Sequence, residues 1–137
     1  TFDHQNGETR VYKTCQIIGM RYGSVARKMF KVRWGLHNRG LVEDHHVIPR
    51  QYVKHPTVKR FDYDMNASSN IVMLPTRHGK AVLRVRENRL VHAGKHDKYN
   101  AYVGDMLDVI QTKHDLDLFV DFLKVGCRYR PQDIPWN

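Results

Sequence analysis

The chain has few cysteines and no long apolar segment, and each shortage excludes a class of protein. Its 137 residues include two cysteines, which lie far apart and outside any Cys-x-x-Cys pair. This spacing excludes a zinc ribbon and argues against a disulfide framework. The longest wholly apolar runs have four residues or fewer, whereas a membrane-spanning helix needs roughly 20. With no signal-peptide pattern at its start either, the chain is expected to have no membrane contact.

Acidic residues are also scarce, and the shortage is uneven. The chain has 23 Lys and Arg residues against 14 Asp and Glu residues, a net charge of +9 with histidine neutral. Residues 1–96 carry +11 and residues 97–137 carry −2. A basic excess of this kind predicts a surface for a polyanion such as nucleic acid, with a solvated basic surface as the alternative. Hydrophobic residues make up 41% of the chain, so we expect a single folded domain over residues 1–137.

Hydrophobic periodicity predicts both strands and helices in the first two thirds of the chain. Residues 41–48 alternate weakly between apolar and polar side chains, and residues 71–74 are apolar. Each segment is followed by a proline, and both are predicted to be short strands. Ser24 is the expected N-cap of a helix over residues 25–34. Residues 81–91 alternate between apolar and basic side chains, which predicts a strand or hairpin arm.

The clearest helical pattern lies towards the C-terminus. Apolar residues from Tyr99 to Ile110 recur at i, i+3, i+4, i+7, i+8 and i+11, on one face of a helix. Asp115 is the expected N-cap of a second helix, which Gly126 is expected to end. These apolar stripes predict core packing, so residues 97–137 are expected to pack behind the functional site.

Histidine is abundant, with nine in the chain, and four of the nine form two close pairs. His45 and His46 are adjacent at the end of the first predicted strand. His92 and His96 are four residues apart, one helical turn, so their imidazoles can face the same point. Three histidines from two elements make a metal site with an open coordination position, whereas a structural zinc site is normally closed by four ligands.

Three blocks of the sequence resemble the His-Me finger (ββα-metal, HNH-like) nucleases. Residues 44–49 (Asp-His-His-Val-Ile-Pro) resemble the first block, residues 70–75 the second, and residues 92–100 a third that is typical of AHH-type toxin nucleases. Asp44 departs from the alanine that precedes the histidine pair in that family. The resemblance covers about residues 41–110 and implies a small α+β domain, in which two short strands and a helix form a ββα-metal core with additional helices.

The resemblance implies a division of roles. His46, directly before the Val-Ile-Pro run, matches the general base, and Asn70 matches the asparagine that ties the connecting loop to the catalytic histidine. A neutral imidazole suits the base because its unperturbed pKa is about 6.5. One divalent metal ion (Mg, Mn, Zn or Ni) is the implied cofactor, and its implied ligands are His45, His92 and His96. Ligand softness favours zinc, nickel or manganese, although related nucleases often work with magnesium.

Two alternatives to these assignments stay open at the level of sequence. In one, the register shifts so that Asp44 is the metal ligand and His45 the base, although the position of residues 47–49 favours the first register. In the other, His78, soon after the second block, is a ligand. It has no histidine four residues later, because residue 82 is valine.

The implied activity is metal-dependent hydrolysis of DNA phosphodiester bonds with low sequence specificity, leaving 5′-phosphate ends. Basic residues that flank the site in sequence are the expected phosphate contacts: Arg50, Lys54, Lys59, Arg60, Arg77, Lys80, Arg84, Arg86, Lys95 and Lys98. An RNase on the same scaffold, or a non-catalytic nucleic-acid-binding module with a structural zinc, is the alternative. A protein inhibitor is an expected partner if the chain is a toxin, and the sequence leaves the oligomeric state open.

Overall fold

A computed structural model describes residues 20–137 of the chain. Its helices and strands follow in the order α1 (Val25–Arg33), β1 (Val42–His46), α2 (Pro56–Arg60), β2 (Ile71–Pro75), α3 (Arg77–Leu83), α4 (Asp97–Val109) and α5 (Lys113–Tyr129). Single 3-10 turns lie at Arg50–Tyr52, Ser68–Asn70 and Pro131–Asp133. This α+β composition confirms the predicted fold class. Within the described part of the chain, no helix is long and apolar enough to cross a membrane.

The two strands form an antiparallel pair that divides the molecule into two sides. His46 pairs with Ile71 and Val42 pairs with Pro75, which confirms both predicted strands. Successive side chains of a strand point to opposite faces. Glu43 therefore shares a face with His45, and the intervening residues of β1 point to the other face.

Each face of the strand pair is covered by its own apolar cluster. On the face of His45, the strands pack against the buried stripes of α4 and α5, which confirms that these stripes form core. The stripes consist of Tyr99, Val103 and Leu107 on α4 and of Leu116, Phe119, Val120 and Leu123 on α5. On the opposite face, a smaller cluster joins α1 to β2 through Met20, Phe30, Leu36 and Met73.

The strand or hairpin arm expected over residues 81–91 is wrong. Residues 77–83 form α3, whose N-cap Thr76 accepts a hydrogen bond from the Gly79 N–H. Gly79 packs against the backbone of Leu41, directly before β1. A Cβ added at this position would lie 1.8 Å from the carbonyl oxygen of Leu41. The alternating apolar and basic residues therefore lie in a short exposed helix and in the turn that follows it, and they do not form a strand.

Both boundaries of α5 also differ from expectation. The N-cap of α5 is Thr112, whose hydroxyl accepts from the N–H of Asp115, and the helix continues through Gly126. Ser24 caps α1 as expected. The buried residues of α1 include Arg27, however, because the carboxylate that it pairs with lies on β1.

Cys127 is a free thiol buried in the core, and Cys15 lies outside the described residues.

Candidate metal centre and active site

Three histidines from two parts of the chain converge beside the end of β1. His45 lies on β1, His92 lies in the loop before α4, and His96 is the N-cap residue of α4. The centroids of their rings form a nearly regular triangle with sides of 5.3, 5.2 and 5.4 Å. One ring nitrogen from each histidine lies within 4.8 Å of the other two. The structure thus brings together the three residues that the sequence singles out as ligands.

Oxygen acceptors hold two of these rings in place. A carboxylate oxygen of Glu43 lies 3.2 Å from Nδ1 of His92, and the amide oxygen of Asn100 lies 3.0 Å from Nδ1 of His96. Because both oxygens accept, each Nδ1 donates its proton and each Nε2 keeps a lone pair. Nε2 of His45 is buried and has no hydrogen-bond partner among the described residues. Three imidazole lone pairs, one of them buried without a partner, fit a divalent cation.

Aromatic packing buries His45 and sets its protonation state. The rings of Tyr99 and Trp136 lie 5.1 and 5.2 Å from the ring of His45, which is 2% exposed. This burial holds the pKa of His45 well below its usual value, and the neighbouring His92 and His96 lower it further. The ring is therefore neutral near pH 7, which is the form of histidine that binds a metal.

His46 ends β1 beside the triangle and has separate contacts. Its Nε2 lies 3.0 Å from the amide oxygen of Asn66, and its ring centroid lies 4.7 Å from that of Tyr22. Since the amide oxygen accepts, Nε2 carries the proton and Nδ1 keeps the lone pair. Burial lowers the pKa of His46, partly opposed by the bond to Asn66. The ring is therefore neutral near pH 7 and can take up a proton at Nδ1.

A cavity of about 250 Å³ lies where these histidines meet. All four histidines of the two pairs line it, together with Arg50 and Asn100. His45 and His46 leave β1 on opposite faces, yet both reach this cavity because His46 is the last residue of the strand. A proton acceptor, a triangle of metal-type ligands and a cation thus face one space.

Asn70 is wholly buried behind the end of β1. Its amide oxygen accepts from the N–H of Ile48 at 2.8 Å and from the hydroxyl of Tyr63 at 2.7 Å. Its amide nitrogen donates to the carbonyl oxygens of Met65 and Ile48. These bonds tie the loop before β2 to the chain that follows His46, which makes Asn70 a candidate positioning residue with no described contact to the histidine rings.

Neither of the two alternative ligands belongs to the triangle. Oδ2 of Asp44 lies 2.9 Å from Nε of Arg27 and 2.9 Å from Nζ of Lys31, so cations of α1 already occupy it. His78 is exposed on α3. Among the described residues, the group with metal-ligand geometry consists of His45, His92 and His96.

Five of the ten expected phosphate contacts lie close to the centre. Arg50 lines the cavity of the histidines, and Lys95 and Lys98 are exposed on either side of His96. Arg77 and Lys80 line a second cavity of about 470 Å³, to which Trp136 also contributes.

The remaining five lie farther away or serve the fold. Lys54, Lys59 and Arg60 are exposed on or near α2. This helix contacts Leu107 through Thr57, and a rise of 1.5 Å per residue puts Leu107 about 16 Å from His96 along α4. Arg84 is exposed at the end of α3.

Arg86 is half-buried. It donates to the carbonyl oxygen of Arg128, and its guanidinium lies 5.3 Å from the ring centroid of Tyr129. The neighbouring Arg89 is 3% exposed and donates to the carbonyl oxygens of Cys127 and Met73. Both arginines therefore hold the loop before α4 to α5, and Arg86 has a structural task besides any contact with phosphate.

Sequence reasoning misses the residues that orient and enclose the histidines. Glu43 and Asn100 are detectable in principle, because they lie two residues before His45 on a strand and four residues after His96 on a helix. Trp136 has no such local signal. Its ring lies 4.7 Å from that of His96, and only the return of the chain after α5 brings it there.

The chain matches the profile of the AHH family, described as a nuclease family of the HNH/ENDO VII superfamily with conserved AHH, over residues 37–119. A search of the curated proteins and a search of the solved structures found no significant match. The family match covers β1, β2 and α4 and all four histidines, over well more than half of the chain. The protein therefore belongs to the AHH family of nucleases.

Proposed function

We propose that this nuclease hydrolyses phosphodiester bonds in DNA with one divalent metal ion and leaves 5′-phosphate ends. The observation that carries the proposal is the triangle of His45, His92 and His96 beside His46, with the buried Nε2 of His45 unpartnered among the described residues. Nucleases of this superfamily need a metal, and the three imidazoles provide ligand nitrogens. Oxygen acceptors engage Nδ1 of His92 and Nδ1 of His96, which leaves Nε2 of each ring for the metal.

His46 is the proposed general base. His46 lines the cavity and its Nδ1 has the lone pair, while Asn66 engages the opposite nitrogen and fixes the tautomer. A water bound there gives its proton to Nδ1 as its oxygen attacks phosphorus, and the bond from phosphorus to the 3′-oxygen breaks. The leaving 3′-oxygen takes up a proton from solvent, so the products are a 5′-phosphate and a 3′-hydroxyl.

A divalent ion held by His45, His92 and His96 would supply Lewis-acid stabilisation of the negative charge that develops in the reaction. Around it, Arg50 brings a positive charge to the cavity wall, and the exposed Lys95 and Lys98 flank the ligand helix. Contacts of this kind bind phosphates without reading bases, which supports low sequence specificity.

Plasmid cleavage tests the proposal. Wild-type protein should nick supercoiled DNA with Mg²⁺ or Mn²⁺ and should stop when EDTA is added. His46→Ala should lose roughly 100- to 10,000-fold in rate, while its circular dichroism spectrum and its zinc affinity stay at the wild-type values. His78→Ala is the matched control, because this histidine is exposed and lies outside the triangle.

The chemistry of the ends and the substrate are tested in the same assay. Product ends should accept ³²P from polynucleotide kinase only after phosphatase treatment, as 5′-phosphates do. If RNA is digested faster than both duplex and single-stranded DNA, the substrate is RNA and the proposal of DNA as the substrate is wrong. Retained zinc with no cleavage of any nucleic acid under any divalent ion would instead indicate a binding module.

A further inference from the structure

The segment before the family match is built against the proposed general base. Residues 20–36 contain five Lys and Arg residues and no Asp or Glu, and the match begins at residue 37. Within this segment, the ring of Tyr22 contacts the ring of His46 at a centroid distance of 4.7 Å. A basic, aromatic segment outside the family core thus reaches the reacting end of the site.

Several bonds hold Tyr22 in place. Its N–H donates to the carbonyl oxygen of Asn66 at 2.9 Å, and Asn66 also holds His46. The neighbouring Arg21 pairs with the carboxylate of Asp64 on the same loop. The guanidinium of Arg50 lies 5.5 Å from the ring centroid of Tyr22. The ring is therefore positioned in advance, although it is 41% exposed.

A buried ion pair attaches α1 to the catalytic strand at the point where this chain departs from its family. Asp44 stands where the family has alanine, and its carboxylate pairs with Arg27, which is 1% exposed, and with Lys31. An alanine at this position would leave the buried guanidinium of Arg27 without its carboxylate. In this chain, the residue that departs from the family motif therefore connects β1 to α1.

A separate cavity of about 220 Å³ lies between α1 and this part of β1. Tyr22 forms one wall, the exposed Lys28 and the partly exposed Lys31 border it, and Asp44 lies at its base. Asp44 also lines the cavity of the histidines. An aromatic ring with a free surface and two lysines beside it suit a base and its phosphate.

We propose that Tyr22, Lys28 and Lys31 form a nucleotide subsite next to His46, in which the ring of Tyr22 stacks on an unpaired base near the scissile phosphate. This inference rests on the proposed function, because it takes the chain to bind a polynucleotide at His46. Stacking needs an exposed base face, so the subsite favours single-stranded or locally unpaired nucleic acid over intact duplex. Every base offers such a face, so the contact is tolerant of sequence.

Binding in EDTA tests the subsite apart from catalysis. The probes are a fluorescein-labelled single-stranded oligothymidylate and an abasic oligomer of equal length and charge, followed by fluorescence anisotropy. Tyr22→Ala should weaken binding of the oligothymidylate roughly 5- to 150-fold and leave binding of the abasic oligomer unchanged. Tyr22→Phe should restore the wild-type affinity, because it keeps the ring. Lys28→Ala should weaken both probes alike.

Tyr129 provides a matched control. It is also 41% exposed, and it also has an arginine beside its ring, since the guanidinium of Arg86 lies 5.3 Å from the centroid. It stands at the end of α5, so Tyr129→Ala should bind both probes as the wild type does.

Two results would overturn the subsite: an unchanged affinity of Tyr22→Ala for oligothymidylate, and an equal loss of affinity for both probes. An unchanged affinity together with slower plasmid cleavage in the presence of metal would make Tyr22 only a positioning residue for His46. If the wild-type protein cleaves plasmid and Tyr22→Ala gives one of these results, the protein is a nuclease without the subsite. Wild-type protein that shows the Tyr22 effect but cleaves nothing retains the subsite and loses the proposed function.

Discussion

Replacing Asp44 with alanine, which creates the Ala-His-His of the family, should destabilise this protein. The carboxylate is 7% exposed and pairs with Arg27, whose side chain is 1% exposed, and with Lys31, which is 22% exposed. Removing one partner of a buried pair leaves the other charge uncompensated, at about 3–5 kcal/mol. Nη1 of Arg27 keeps a long bond of 3.4 Å to the carbonyl oxygen of Met20, which compensates little of that charge.

Urea unfolding followed by circular dichroism measures this loss. Lys31→Ala is the control at the same carboxylate, and the exposure of its side chain limits its effect to about 1 kcal/mol or less. Arg27→Met combined with Asp44→Ala should regain much of the stability, because a buried apolar pair replaces a lone charge. A midpoint for Asp44→Ala within error of the wild type would refute the argument that this pair holds α1 to β1.

Three further predictions concern the fold and its charged surface. Gly79→Ala should lower the free energy of unfolding by at least about 2 kcal/mol in urea titrations, because the new Cβ meets the backbone of Leu41 at 1.8 Å and backbone yields little. Cys127 should resist Ellman's reagent at pH 8 until the protein is denatured, in a variant whose other cysteine is serine, because burial raises the pKa of its thiol to about 12. Arg77→Ala should weaken DNA binding and reduce the salt dependence by about one phosphate contact at unchanged stability, whereas Arg89→Ala should lower stability, since it removes buried bonds to two carbonyl oxygens. Labelling of Cys127 in the native protein would contradict this account of the core. So would a loss of stability in Arg77→Ala together with a loss of DNA binding alone in Arg89→Ala.

The parts of the fold that follow from sequence are those with a local signal. The first strand has a weakly alternating pattern and the second is a short apolar run, and each is followed or ended by a proline. The helix α4 has an uninterrupted apolar stripe, so the positions of all three elements can be predicted. The three ligands of the triangle could therefore also be predicted, because His45 lies near the end of a predicted strand and His92 and His96 lie at the start of a predicted helix. The assignment of His46 as base stays a prediction.

The rest depends on contacts between distant segments. A glycine in a segment as short as the seven residues of α3 argues against a helix. Gly79 nevertheless lies inside α3, because there the helix comes close to the backbone of Leu41. Arg27 is charged, yet it is buried on α1 because its guanidinium pairs with the carboxylate of Asp44 on β1. Trp136 closes the histidine site through a chain return that no local pattern records. In each case tertiary packing outweighs local preference.

The central claim is that one metal ion is held by three histidines beside a fourth that acts as base. Anomalous diffraction from crystals soaked in Mn²⁺ or Zn²⁺ tests it most directly. The account predicts one strong peak bound by His45, His92 and His96, with His46 outside the coordination sphere. A peak coordinated by Asp44 or by His46, or no peak at the triangle at a saturating concentration of metal, would contradict it.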